Sequence, residues 1–204
     1  YYEQSRNIEV ESRDGKLEIC EDAIGVGVGL RIQKQKRIGF SYSTDFSESG
    51  IASMVQAAVS VANFVDANPD VAFYEPNKND IYRKLPSVDP AFSTMDMATR
   101  LKLASKVEDA AKAEDARVKT VRDANYSEHH HYVGIFNSYG LDIASEQVYG
   151  SVSVNAVAED NGEAESGGEF DFSFELSKLD PEHVGRLAAK NALLYLGWHT
   201  PNNS

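Results

Sequence analysis

Apolar and polar positions alternate with period two through the opening of the chain, as in Ile8-Glu9-Val10-Glu11 and again in Leu17-Glu18-Ile19-Cys20. That spacing predicts strands over residues 2–12, 16–22, 24–33 and 37–44, joined by turns at Asp14-Gly15, Asp22-Ala23 and Gln33-Lys34-Gln35-Lys36. Gly25, Gly27 and Gly29 fall on one face of the third strand, opposite Val26, Val28 and Leu30. A face stripped of side chains invites a close neighbour, most simply a helix packed across the sheet. The period then changes. Ile51, Val55, Ala58, Val59, Ala62 and Val65 recur at three- and four-residue spacing, predicting a helix over 48–67 capped by Ser47 or Asp45.

Residues 68–92, with prolines at 69, 76, 86 and 90, read as a long extended connection. It marks a boundary between two α+β subdomains, 1–79 and 80–204. A second helix, capped by Ser93 or Thr94, is expected from Met95 to Ala113, with Met97, Leu101, Ala104, Val107, Ala110 and Ala111 as its apolar stripe. Strands follow over 117–128, 131–137, 140–148, 150–159 and 168–177, with turns at Asn137-Ser138-Tyr139-Gly140 and Asn161-Gly162. Asp180-Pro181 opens a last helix running to about Gly197, with Val184, Leu187, Ala188, Asn191, Ala192 and Leu194 on or beside its buried face. The fold class is therefore α+β: two meander-type, mostly antiparallel sheets, each packed with helices.

A chain of 204 residues, 42% hydrophobic and 25% charged, has the make-up of a globular protein with one sizeable core or two small ones. Its formal charge of -12 disfavours nucleic acid, whose recognition through phosphates requires Lys and Arg. No apolar run reaches the roughly 20 residues a membrane-spanning helix needs, so no membrane partner is expected. The lone Cys20, in an alternating strand, is expected to be a buried or half-buried small apolar residue in a reducing compartment. The absence of an initial Met and the patternless polar tail after Gly197 are read as cut ends.

Candidate chemistry is sparse. The glycines at 25, 27 and 29 lead into a basic turn and another strand, whereas a phosphate-binding fingerprint needs a turn opening a helix. In His129-His130-His131, strand geometry lets only His129 and His131 share a ligand set, and zinc would need a further ligand from elsewhere. Alternation with Tyr126, Glu128 and Tyr132 instead fits a solvent-facing or interface strand. His183 and His199 have no partner at ligand spacing. Glu159, Asp160, Glu163 and Glu165 read as a solvated hairpin tip or a weak cation site rather than an acid and base pair, and Ser41, Ser43 and Ser47 as lining and capping residues without a nucleophile elbow. The tyrosines, among them Tyr1, Tyr42, Tyr74, Tyr82, Tyr139 and Tyr149, are spread over strand ends and loops, which as a set favours a partly covered surface. No catalytic, cofactor-binding or metal-ligating residue is assigned.

Three segments together resemble the amino-terminal domain of the TldD/PmbA family: Ile8-Glu-Val-Glu-Ser-Arg-Asp-Gly-Lys-Leu-Glu18, Gly25-Val-Gly-Val-Gly-Leu-Arg31 and Gly39-Phe-Ser-Tyr-Ser-Thr-Asp-Phe-Ser47. Phe136-Asn-Ser-Tyr-Gly140 resembles that family's Asn-Ser-x-Gly turn. Ala158-Glu-Asp-Asn-Gly162 through Phe172-Ser-Phe174, with Leu179-Asp-Pro-Glu-His-Val-Gly185, is more similar to its PmbA (TldE) branch. The resemblance implies a cytoplasmic metallopeptidase of peptide maturation and proteolysis, historically a modulator of DNA gyrase. It implies unfolded peptide substrates and a homo- or hetero-oligomer with a family member. The family's metal motif, of His-Glu-x-x-x-His type, belongs to a carboxy-terminal domain of the TldD branch that lies outside this sequence. A divalent metal, zinc by expectation, thus belongs to that domain or to a partner subunit. The amino-terminal region is expected to serve oligomer assembly and substrate enclosure. The alternative is a noncatalytic, PmbA-like scaffold or regulatory subunit for a catalytic partner.

Overall fold

A computed structural model describes residues 1–77, 82 and 88–196. The elements are β1 (Tyr2–Arg13), β2 (Lys16–Lys34), β3 (Arg37–Ser43), α1 (Glu48–Phe64), α2 (Pro90–Thr94), α3 (Met97–Glu114), β4 (Val118–Phe136), β5 (Asp142–Asp160), β6 (Glu163–Ser173), a 3-10 turn over Leu176–Lys178 and α4 (Pro181–Leu196). The α+β class holds. The two meanders, β1 to β3 and β4 to β6, join through β1 and β4 into one six-stranded sheet of order β3-β2-β1-β4-β5-β6.

Several expected breaks are absent. Residues 16–22 and 24–33 form the single strand β2, for Asp22-Ala23 stays extended and the Asp22 carboxylate pairs with Arg6 at 2.6 Å. The strands expected at 117–128 and 131–137, and at 140–148 and 150–159, likewise fuse into β4 and β5. The strand expected at 168–177 starts earlier, at Glu163, and ends at Ser173, because the Asn161-Gly162 turn returns the chain directly into pairing, Asp160 opposite Glu163. Asp14-Gly15 and Asn161-Gly162 do turn the chain, all four residues at positive φ, the backbone that two-residue hairpins demand. Pro90 opens a short helix instead of closing an extended run, and α3 is capped by Asp96, not Ser93 or Thr94, its carboxylate accepting the Thr99 N–H at 2.8 Å. The rest of the expected connection includes residues 78–81 and 83–87, which lie outside the described set, as do Gly197 and the tail with His199.

The chain forms two compact units. The first comprises Tyr1–Ser5, Ile24–Ser87 and His131–Glu146; the second comprises Arg6–Ala23, Val88–His130 and Gln147–Ser204. In the first, α1 is capped by Ser47, whose hydroxyl accepts the Gly50 N–H, and buries only Met54, Ala58 and Ala62. Val55 and Val59, expected on its buried stripe, are exposed. The helix packs at Gly39, where an added Cβ would fall on the Ala58 carbonyl. Beside it the Ser41 hydroxyl donates to the Met54 carbonyl at 2.6 Å.

In the second unit one cluster of buried side chains runs through Phe92, Val107, Tyr126, Val152, Val154, Val184, Ala188 and Ala192. The buried stripe of α3 is Arg100, Ala104, Val107, Glu108 and Ala111: Ala104, Val107 and Ala111 lie where expected, Leu101 and Ala110 are half-buried, Met97 is exposed, and two charged residues, Arg100 and Glu108, join the stripe. On α4, Val184, Ala188 and Ala192 are buried as expected but Leu194 faces out, and Asn191 donates to the Gly168 carbonyl. Gly167 of β6 has room for no side chain, since an added Cβ would sit 2.2 Å from the Ala192 nitrogen.

Candidate functional site

The register of β2 on β3 sorts their side chains by face. Val28 lies opposite Ser43, Leu30 opposite Ser41 and Ile32 opposite Gly39; this is the face that carries α1. Gly29 opposite Tyr42 and Arg31 opposite Phe40 occupy the other face, because cross-strand partners point the same way. The helix expected over the glycines therefore packs on the reverse side of the strand. What leans over Gly29 is the Phe40 ring, 3.3 Å from where its Cβ would be, with the Tyr1 ring at 3.8 Å. Gly25, Gly27 and Gly29 become the floor of a surface groove of about 340 Å³, walled by Tyr1, Phe40 and Tyr42, with Glu3 at its polar end. Phe40 and Tyr42 are exposed. Glu3 accepts from the Tyr1 hydroxyl at 2.6 Å and contacts His131 at 2.9 Å, and these bonds hold its carboxyl below the usual range.

The three adjacent histidines each have a different partner. His131 faces Glu3; His129 contacts Asn7 at 2.9 Å and stacks on Tyr149. His130 meets Glu128, which is fully buried, as is Tyr126. These two residues, read as part of a solvent-facing or interface strand, belong instead to a buried polar network. Arg100 spans the Glu128 carboxylate with two bonds of 3.1 and 3.2 Å and donates a third to the Met95 carbonyl at 2.7 Å. The Tyr126 hydroxyl donates to the same carboxylate at 3.0 Å, and burial first, then the Glu128 charge, pushes its pKa upward. Each guanidinium nitrogen of Arg100 and the Tyr126 hydroxyl thus has an acceptor, which helps offset the cost of burying the pair. The signal in the sequence was Arg100 lying four residues before Ala104, on the helix stripe itself.

Residues 1–62 match the family model described as PmbA/TldA metallopeptidase domain 1, and residues 90–196 match that of the PmbA/TldA metallopeptidase central domain. The chain belongs to the PmbA/TldD family. It is 29% identical over 194 residues to "Metalloprotease PmbA" of Escherichia coli O157:H7, covering 93% of this chain and 42% of that protein. The chain thus spans less than half the length of this curated relative. In fold it is similar to a proposed modulator of DNA gyrase from Thermotoga maritima MSB8, with TM-score 0.84 and 23% identity over 98% of this chain and 44% of that one. It is likewise similar to TldE from Thermococcus kodakarensis, with TM-score 0.76 and 19% identity over 94% of this chain and 43% of that one.

A metallopeptidase family implies a metal, and the residues here do not fit one. Among the described residues no three His, Cys, Asp or Glu side chains gather where an ion could sit. His130 is already engaged by Glu128. Glu159, Asp160, Glu163 and Glu165 do form a hairpin tip, Asp160 opposite Glu163 and Ala158 opposite Glu165, with the tip itself exposed. Cys20 is exposed, 3.8 Å from the Met97 sulfur, not buried, because this stretch of β2 is open to solvent on both faces. Ser43 bonds to Asp45 and the His183 N–H donates to Asp180, both local turn contacts. Among the described residues no helix is long and apolar enough to cross a membrane.

Proposed function

We propose that this chain is the amino-terminal region of a PmbA/TldD-type metallopeptidase acting in cytoplasmic proteolysis, and that it serves oligomer assembly and enclosure of an extended peptide. The observation that carries the reading is the glycine-floored groove. An open sheet face with aromatic walls and no reactive group is suited to holding an apolar side chain of an unfolded peptide without acting on it. Assembly is supported by the outward side of α1, where Val55, Val59, Val61 and Phe64 are exposed, Phe64 to 88%. Such a surface on an otherwise charged protein suits a copy or a family member. The metal and the hydrolytic residues are assigned to the remainder of the full-length protein or to a partner subunit.

The test uses full-length protein carrying Gly27→Leu. A Cβ at this position would approach nothing closer than 3.8 Å, so the groove is filled while the backbone is left in place. The expected result is a rise of about tenfold in KM for peptide hydrolysis with kcat retained, the mark of lost binding shared by ground and transition states. An unchanged KM with a properly folded variant would overturn the groove as a substrate surface.

A further inference from the structure

The sheet has two free margins, β3 and β6, and they are finished differently. At β6, Asp160 and Glu163 flank the two-residue turn as partners, so every second residue from Ala164 to Phe172 directs its main-chain groups outward. Along the second half of the strand these groups are taken. The Gly168 carbonyl accepts from Asn191 at 3.1 Å, and the N–H groups of Phe170 and Phe172 donate to the Glu169 and Asp171 side chains at 3.1 and 2.9 Å. An edge occupied in this way resists a further strand.

The β3 margin is left open. Gly29 exchanges both main-chain bonds with Tyr1, donating at 2.9 Å and accepting at 3.1 Å, so its groups face β1. Bonded and unbonded positions alternate in an antiparallel pair, which makes Gly29 with Tyr42, Arg31 with Phe40 and Gln33 with Ile38 the unbonded partners of β2 and β3. The N–H and C=O groups of Ile38, Phe40 and Tyr42 therefore point off the sheet. Among the described residues nothing outside the sheet bonds to them, and the nearby hydroxyls are turned elsewhere, Ser41 to the Met54 carbonyl and Ser43 to Asp45. Beside this edge β3 and α1 border a groove of about 400 Å³ lined by Ser41, Ser43, Ser49, Ser53 and Ala57.

We propose that the open edge of β3 takes one extended polypeptide segment as an added strand, its short polar residues entering the serine-lined groove and its alternate, apolar residues lying beside Phe40 and Tyr42. It rests on the reading that this chain holds an extended peptide, and supplies the edge that binds the peptide's main chain. Donors and acceptors that recur at every second residue select a backbone as their ligand. A second copy would bring its own helix. α1 lies along β3, touching Ser41 through Met54, Gly39 through Ala58 and Arg37 through Asn63. Twofold pairing of β3 with β3 would set two such helices about 5 Å apart, the strand spacing, where packed helices need about 8–10 Å. A bare strand carries no helix and fits.

The probe is a labelled peptide of about eight residues, an ordinary strand length, alternating Val and Ser. It is titrated against the full-length protein by fluorescence anisotropy, with EDTA present so that it is not cleaved. Binding is expected to slow hydrogen exchange about tenfold or more at the Ile38, Phe40 and Tyr42 amides and to leave those of Gly39 and Ser41, already paired with β2, unchanged. N-methylation of one alternate set of peptide residues should weaken binding about tenfold or more, while methylation of the other set should not, because only one set faces β3. Ala57→Phe, which fills the groove from an exposed helix position, should weaken binding to a similar degree, with a thermal melt matching the unaltered protein to confirm its fold. Equal effects of the two methylated sets, or exchange at the three amides indifferent to the peptide, overturn the proposal. So does a dimer by sedimentation that protects these amides without peptide, which assigns the edge to a second copy. Their protection in the unliganded monomer also overturns it, assigning the edge to the rest of the protein. Gly27→Leu should leave this binding unchanged, so that failure of the edge and failure of the glycine groove are read separately.

Discussion

The first unit buries little and the second buries much. Around α1 the fully covered apolar side chains are mainly Met54, Ala58 and Ala62, small groups under a helix whose larger ones, Val55, Val59 and Phe64, point outward. Around α3 and α4 a continuous cluster includes Phe92, Val107, Tyr126, Val152 and Val184, and even its charges are paired. Since stability follows apolar area removed from water, the second unit should carry more of the fold's stability than the first.

The comparison breaks most sharply at Arg100. Arg100→Ala leaves Glu128 charged and buried without its main partner, and unfolding by urea should show a loss of about 3–5 kcal/mol. Arg100→Met combined with Glu128→Leu should recover most of that loss. A cost for Arg100→Ala below about 1 kcal/mol would mean the second unit does not depend on its buried pair. A smaller loss, about 1–3 kcal/mol, is expected from Gly39→Ala, which pushes α1 off the sheet. Hydrogen exchange should place that loss in the amides of α1 and β3, with Val152 and Val154 unaffected; a uniform loss would erase the distinction between the units.

Glu108 tests the second unit through pH. Burial alone would raise its pKa, but bonds from Lys112 at 2.7 Å, the Ser12 hydroxyl at 2.8 Å and the N–H groups of Asp14 and Gly15 outweigh it and hold the carboxyl below its ordinary value. A depressed carboxyl stabilises the fold above its unfolded pKa and loses that contribution as pH falls. Melting temperature should therefore drop below the ordinary glutamate range of about 4.3 in the natural chain, and less steeply in Glu108→Gln, which is already weaker at pH 7. Parallel curves for the two proteins would refute the role. The smallest effect belongs to the first unit: Phe64→Ser should shift stability by no more than about 0.5 kcal/mol while raising solubility, because the ring is already in water.

What could be read from residues alone was set by local chemistry. Asp14-Gly15 and Asn161-Gly162 act through their own backbone, Ser47 and Asp180 through side chains that accept nearby N–H groups, and each turns or caps where its chemistry requires. Faces proved harder. Glu128 looked solvent-facing because its partner Arg100 lies 28 positions away, and Cys20 looked buried because alternation cannot tell which half of a long strand has neighbours on its faces. The glycine strip was recognised as bare, but the side taken by α1 was fixed by Gly39, a single residue on the next strand. The family's segments were legible by order and spacing. The groove and the open edge of β3 were not, since both arise from cross-strand register.

The strand order carries a kinetic consequence. Both meanders consist of hairpins between neighbours in the chain, yet β1 must find β4 across a segment on the order of 100 residues before the sheet is whole. Local hairpins close quickly, and a distant junction is reached late and raises the contact order of the whole chain. Until β1 and β4 meet, each meander shows an unpaired edge ending in long alternating strands, the form most open to wrong pairing with other chains. The step that completes the sheet therefore also covers its two inner edges, and leaves only β3 and β6 at the margins.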